Sequence, residues 1–186
     1  HTMLPLSVNV NPSSLLEKKY RETIQTLSRQ SHMPLNKLYL EISEKDQIPA
    51  PQGWDGKQNV IEAYKEELNF YRDLDIHFSI DDFGVGYSSS SRVSRLGPAI
   101  VKIDRDALID NFGNFTLNFV VSLARRLPGE IKVIIEGYDK ESALSLRKLF
   151  DLGVLYVQGH EFGKARSIID DRLSKELVEK IKSELA

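Results

Sequence analysis

An α/β fold with parallel strands is predicted by two features of the 186-residue chain. Short apolar runs alternate with longer amphipathic stretches, and every apolar run carries a polar residue near its C-terminal end. The alternation implies strands joined by crossover helices, because parallel neighbours need a long return path. The strand runs are Leu4–Val10, Lys37–Ile42, Ile76–Asp81, Ala99–Asp104, Ile131–Glu136 and Val154–Gln158. All are rich in the Val, Ile, Leu and Tyr that suit a pleated surface.

The helices follow in order. Leu16, Tyr20, Ile24 and Leu27 recur at helical spacing after Asn11-Pro12-Ser13-Ser14, a start signal. Val60, Ile61, Tyr64 and Leu68 form the second stripe, after an excursion loop, 47–58, with two prolines, two glycines and Trp54. The segment after FSIDD, 88–96, is the least defined. Phe115–Leu127 is helix-like, Asp139–Leu152 is a helix closed by Gly153, and Leu173, Leu177, Val178, Ile181 and Leu185 mark the last.

Strand parity refines the class. Side chains on a strand alternate between faces, so Asn9, Glu41, Asp81, Lys102 with Asp104, Glu136 and Gln158 share one face, each opposite apolar neighbours. All six strands thus present an apolar face for packing helices. A flat doubly wound sheet would bury the polar set under helices. A TIM-type (β/α) barrel gathers it at one mouth, and about six βα units are visible, so the barrel is expected to be incomplete.

Composition narrows the chemistry. A net charge of −2 excludes a global basic field for polymeric nucleic acid, and the absence of cysteine excludes disulfides and thiolate metal sites. No apolar run reaches membrane-spanning length, so a membrane enters only through a parent protein. Clustered carboxylates with an amide are costly without a cation, and hard oxygen donors suit Mg²⁺ or Mn²⁺. The adjacent Asp81 and Asp82 suit two ions about 3.5–4 Å apart, as in two-metal phosphoester hydrolysis.

These residues, in this order, resemble the EAL-domain family. Its N-x-S-P, E-x-T-E and D-D-F-G-T-G-Y-S-S motifs correspond to Asn9-Val10-Asn11-Pro12, Glu41-Ile42-Ser43-Glu44 and Asp81-Asp82-Phe83-Gly84-Val85-Gly86-Tyr87-Ser88-Ser89. K-I-D, A-E-G-V-E and Q-G-Y correspond to Lys102-Ile103-Asp104, Ile135-Glu136-Gly137-Tyr138-Asp139 and Gln158-Gly159-His160. The match runs from Leu4 to about Ala165.

The resemblance implies bacterial second-messenger signalling: hydrolysis of cyclic di-GMP to pGpG by a water activated by divalent metal. It implies metal ligation by Asn9, Glu41, Asp81, Asp82 and Glu136, with Asp104 assisting. It gives Lys102, Glu136 and Gln158 catalytic roles, and makes Glu44 the anchor of a substrate and dimer loop containing Phe83, Gly84, Gly86 and Ser88. A homodimer through that region and a cytoplasmic location, within a larger protein or alone, are part of the same expectation. The family's E-A-L tripeptide is absent, and Ile135, Tyr138 and Asp139 depart from its pattern. The chain is therefore expected to be one EAL-like domain, 1–186, lacking its N-terminal strands, with 1–3 a cloning remnant or truncated start. The departures motivate an alternative: a catalytically degenerate domain that binds cyclic di-GMP or a protein partner.

Simpler roles stand beside these. Asn11 suits a cap, Asp104 an ion-pair partner of Lys102, and Trp54 a loop anchor. His32, His77 and His160 are too scattered for a metal site.

Overall fold

The computed structural model describes residues 4–30, 33–84, 90–109, 113–164 and 173–186. Six strands, β1 Leu6–Asn9, β2 Leu38–Ser43, β3 His77–Phe83, β4 Ile100–Asp104, β5 Lys132–Glu136 and β6 Tyr156–Val157, form one parallel sheet in sequence order. Each strand therefore pairs with the next, as sequential crossovers of one hand require. The helices are α1 Lys18–Gln30, α2 Val60–Arg72, α3 Ser90–Leu96, α4 Gly113–Arg126, α5 Leu146–Asp151 and α6 Lys175–Leu185. Gly86 and Ser88 lie outside the described residues.

The apolar strand faces form the core. Leu40, Ile42, Ile80, Val101, Ile103 and Ile135 are almost wholly buried. Each such side chain contributes about 1.5–3 kcal/mol relative to exposure. The helices return Leu15, Tyr64, Leu68, Tyr71, Leu117 and Leu149 to this layer. The buried tyrosines satisfy their hydroxyls on the β1–α1 connection: Tyr64 donates to the Pro12 carbonyl at 2.9 Å and Tyr71 to that of Leu15 at 2.8 Å. Burying these hydroxyls without acceptors would carry a desolvation penalty of about 1–3 kcal/mol each.

Several expectations are corrected. The apolar cover is not uniform: Leu6 and Val8 remain 49% and 39% exposed, because β1 is an edge strand. The helix expected over 139–152 is only α5. Its first half is a turn in which Asp139 Oδ1 accepts from the Glu141 N–H and Ser142 Oγ accepts from the Asp139 N–H. Such local side-chain bonds compete with a helical backbone. Ser145 then caps α5, its Oγ accepting from the Lys148 N–H at 3.2 Å. Gly153, at φ 92°, terminates it as the sequence indicates. Leu16 sits in a short 3-10 turn before α1, Leu27 is exposed, and Leu173 precedes α6 and is exposed. Asn11 Oδ1 accepts from the Ser13 N–H at 2.9 Å, and Trp54 Nε1 donates to the Gln58 carbonyl at 3.1 Å.

Candidate active site

The parallel register carries the polar set toward the C-terminal strand ends. Asn9 lies beside Glu41, Glu41 beside Ser79, and Asp104 beside Glu136. Three strands then converge on one ammonium. Lys102 Nζ lies 2.8 Å from Glu41 Oε1, 2.9 Å from Glu136 Oε1 and 3.7 Å from Asp81 Oδ1. Its side chain is 10% exposed. Burial pulls the Lys102 pKa down, and the hydrogen bonds to Glu41 and Glu136 more than reverse this, so it stays protonated.

Glu136 responds in the opposite direction. Burial and its contact with Asp81 push its carboxyl up to about 7, against the lowering pull of Lys102. A carboxyl raised from 4.5 binds its proton more tightly in the folded than in the unfolded protein. Stability should therefore fall as pH rises between those two values and stay level above them. We expect a contribution of about 1–3 kcal/mol against folding at pH 8 relative to pH 5. Urea unfolding of metal-free wild type and Glu136→Gln at both pH values checks this, and a pH-independent difference between them would contradict it.

The adjacent aspartates are separated by backbone geometry. The β3–β4 register slips between Ile80 and Phe83, and Asp82 adopts φ 56°. A bulge of this kind re-aims a side chain that alternation would turn away. Asp81 joins the Lys102 cluster, while Asp82 Oδ2 meets Ser43 Oγ at 3.3 Å and Lys45 Nζ at 3.1 Å.

The loop after Asp82 is clasped at its start. The buried Glu44 carboxylate accepts from the Gly84 N–H at 2.9 Å, and the Glu44 N–H donates to the Asp81 carbonyl at 2.9 Å. Gly84 has φ 102°, and a Cβ there would lie 2.7 Å from Ala107 Cβ, so only glycine fits. Phe83, 2% exposed, anchors the same turn in the core. Arg92 of α3, also buried, donates to the carbonyls of Ser43 at 3.2 Å, Glu44 at 2.8 Å and Asp46 at 2.7 Å.

The remaining expected residues stand apart from the lysine cluster. Asn9 is exposed on the edge strand. Gln158 is exposed, with its N–H donating to the Ile135 carbonyl and its carbonyl accepting from the Tyr138 N–H. Asp104 Oδ1 accepts from the Asp106 N–H at 2.8 Å, capping a 3-10 turn rather than pairing with Lys102. Asp139 pairs with Arg105. His77 lies 5.0 Å from the Tyr39 ring, and His160 is exposed.

Whether these donors suit a divalent ion can be tested on the buried oxygens. Asp81 Oδ1 is buried with no hydrogen-bond partner among the described residues. Such an acceptor, beside two further carboxylates, has the hard-oxygen chemistry of a Mg²⁺ or Mn²⁺ ligand. As they stand, no three Asp, Glu or His side chains among the described residues gather closely enough to hold an ion. The Lys102 ammonium takes the central place instead.

Arg92 and Lys45 were not among the residues singled out from sequence. Arg92 had a visible signal: it lies four residues from Leu96, on the stripe that turns inward. Lys45 follows Glu44 directly and has none.

The family model of the EAL domain matches residues 1–165. The chain belongs to the EAL-domain family. Among curated relatives, this EAL domain is 30% identical over 167 residues to "Probable cyclic di-GMP phosphodiesterase PdeI" of Escherichia coli K12, covering 86% of this chain and 19% of that protein. It is 28% identical over 163 residues to "Cyclic di-GMP phosphodiesterase RocR" of Pseudomonas aeruginosa, covering 86% and 38%. The chain thus spans well under half the length of these relatives. Among solved structures, the Bacillus subtilis YkuI protein, with cyclic di-GMP and calcium, superposes with a TM-score of 0.74 at 23% identity, covering 97% of this chain and 42% of that one. Klebsiella pneumoniae BlrP1, with manganese and cyclic di-GMP, gives 0.67 at 22%, covering 86% and 38%. The likeness confirms the α/β, TIM-barrel-like architecture of the EAL domain.

Proposed function

We propose that this EAL domain hydrolyses one phosphodiester of cyclic di-GMP to give linear pGpG, with Mg²⁺ or Mn²⁺ as cofactor. The supporting observation is the convergence of Glu41, Asp81 and Glu136 from three strands on Lys102 at one mouth of the sheet. Those carboxylates, with Asn9 and Asp82, would hold the ion. When bound, it supplies positive charge at the scissile phosphate and makes a water more acidic.

The chain's own residues do the rest. Lys102, held protonated, donates to a phosphoryl oxygen and stabilises charge as the bond to phosphorus forms. Glu136, 2.9 Å from Lys102 Nζ, would help hold the ion and orient the attacking water by accepting its hydrogen bond. Glu44 holds Gly84, and Arg92 ties α3 to the turn that carries Glu44, next to the region after Gly84 that would meet the substrate. A homodimer through that region, a cytoplasmic location, the single-domain reading of 1–186 and supporting roles for Gln158 and Asp104 belong to this proposal.

A second reading, a cyclic di-GMP receptor without turnover, is favoured by Asp139, which stands where the family pattern has a second Glu and is paired with Arg105. Incubating the protein with cyclic di-GMP and Mn²⁺ and separating products by chromatography distinguishes them. We expect pGpG. Binding without product supports the receptor, and neither binding nor product rejects both.

A further inference from the structure

We propose that Lys45 competes with the divalent cation for Asp82, so that this lysine helps set the metal affinity of the site. The inference rests on reading Asp82 as one of the metal-site carboxylates. Its observation is the ion pair itself: Lys45 Nζ stands 3.1 Å from Asp82 Oδ2. Asp82 is committed to that position by the bulge and its positive φ, and Ser43 Oγ donates to the same oxygen. The root of Lys45 is equally committed. Its N–H donates to Ser43 Oγ at 3.2 Å, and Arg92 holds the carbonyls on either side, of Glu44 and Asp46. The Lys45 side chain is 54% exposed, so it can leave without disturbing the core.

The groups around it explain its placement. Besides Asp82, the carboxylates of Asp104 and Asp81 attract the Lys45 ammonium, and Asp82 does so most. Lys102 already faces Glu41, Glu136 and Asp81, leaving Asp82 as the carboxylate on the rim that a second lysine can reach. A divalent ion at Asp82 must therefore either displace this ammonium or accept a positive neighbour.

Displacement costs the ion pair. An exposed pair of this kind is worth up to about fivefold in an equilibrium constant. Coexistence at about 4 Å, even with the screening of bulk water, opposes binding by about thirtyfold. The lysine can swing outward, so the smaller cost governs most of the effect. We expect Lys45→Ala to bind Mn²⁺ about three to ten times more tightly than wild type at low ionic strength. In roughly 0.5 M salt the gap should close to less than about twofold, because exposed charges are screened.

The experiment is calorimetric titration of metal-free wild type, Lys45→Ala and Lys45→Arg with Mn²⁺, at low and high salt, without nucleotide. Lys45→Arg keeps the charge and should bind as weakly as wild type. Equal or weaker binding by Lys45→Ala overturns the proposal. So does a gap that ignores salt, tighter binding by Lys45→Arg, or an absence of Mn²⁺ binding by all three. Missing pGpG with the salt-sensitive gap intact rejects the phosphodiesterase reading alone.

Discussion

Replacing Lys102 by methionine should lower the stability of the metal-free protein by about 3–5 kcal/mol at pH 7–8. Methionine fills the space of the stem, so the loss is one of charge. Glu41, Asp81 and Glu136 would face each other with no ammonium between them, in a place where Lys102 itself is only 10% exposed. Breaking a buried ion pair from one side leaves the other side's desolvation uncompensated. Proton uptake limits the damage, since Glu136 already titrates near neutrality and would titrate higher without its cation. The deficit should accordingly shrink at pH 5. Turnover should fall by at least about a hundredfold if Lys102 stabilises charge on the phosphate. Urea unfolding of wild type and variant at the two pH values measures the first effect, and pGpG release the second. A variant as stable as wild type would show that Lys102 does not hold the three carboxylates.

Arg92→Ala should cost about 3 kcal/mol or more, although no part of Arg92 belongs to the lysine cluster. Its guanidinium serves three carbonyls, of Ser43, Glu44 and Asp46, on a turn that projects from β2. Charged hydrogen bonds contribute about 1.5–3 kcal/mol each when made, and buried carbonyls left behind carry a desolvation penalty. The same turn carries Glu44, which holds Gly84, and Ser43 and Lys45, which meet Asp82. On the proposed function, the loss of stability should therefore come with weaker cyclic di-GMP binding. Arg92→Lys should recover only part of the stability, because an ammonium lacks the planar fork that reaches several carbonyls at once. Chemical denaturation of the three proteins checks the order. Equal stability of Arg92→Lys and wild type would show that the fork is not needed.

The strands were the most legible part of the molecule. Four of the six lie within the run read from the sequence, and β2 and β3 overrun theirs by one and two residues, because β-branched and aromatic residues in short runs signal a pleated, buried surface. The short β6 shows the limit: Val154 donates its N–H to the Leu149 carbonyl at the end of α5 rather than to a strand. Periodicity was weaker for helices. Asp139 to Ser145 has helical spacing but contains Asp and Ser residues that bond their own backbone instead. Of the candidate site, Glu41, Asp81, Lys102 and Glu136 could be placed on one face by alternation alone. Alternation placed Asp104 there too, but its carboxylate caps a 3-10 turn, and Asp82 and Lys45 could not be placed, because a bulge and a side chain's reach decide their positions.

The sequence by itself determined the class of fold, the parallel order of βα units, and the face on which the carboxylates and Lys102 lie. Those follow from alternation along a strand, which depends only on local backbone geometry. Which charges neutralise one another was decided by tertiary structure. Lys102 is separated from Glu41 by about sixty residues of chain, and Arg92 from its carbonyls by 46 to 49, and no local pattern encodes those meetings. They arise where the register and curvature of neighbouring strands bring ionic groups into a space with little water, and there each charge must find the nearest partner of opposite sign.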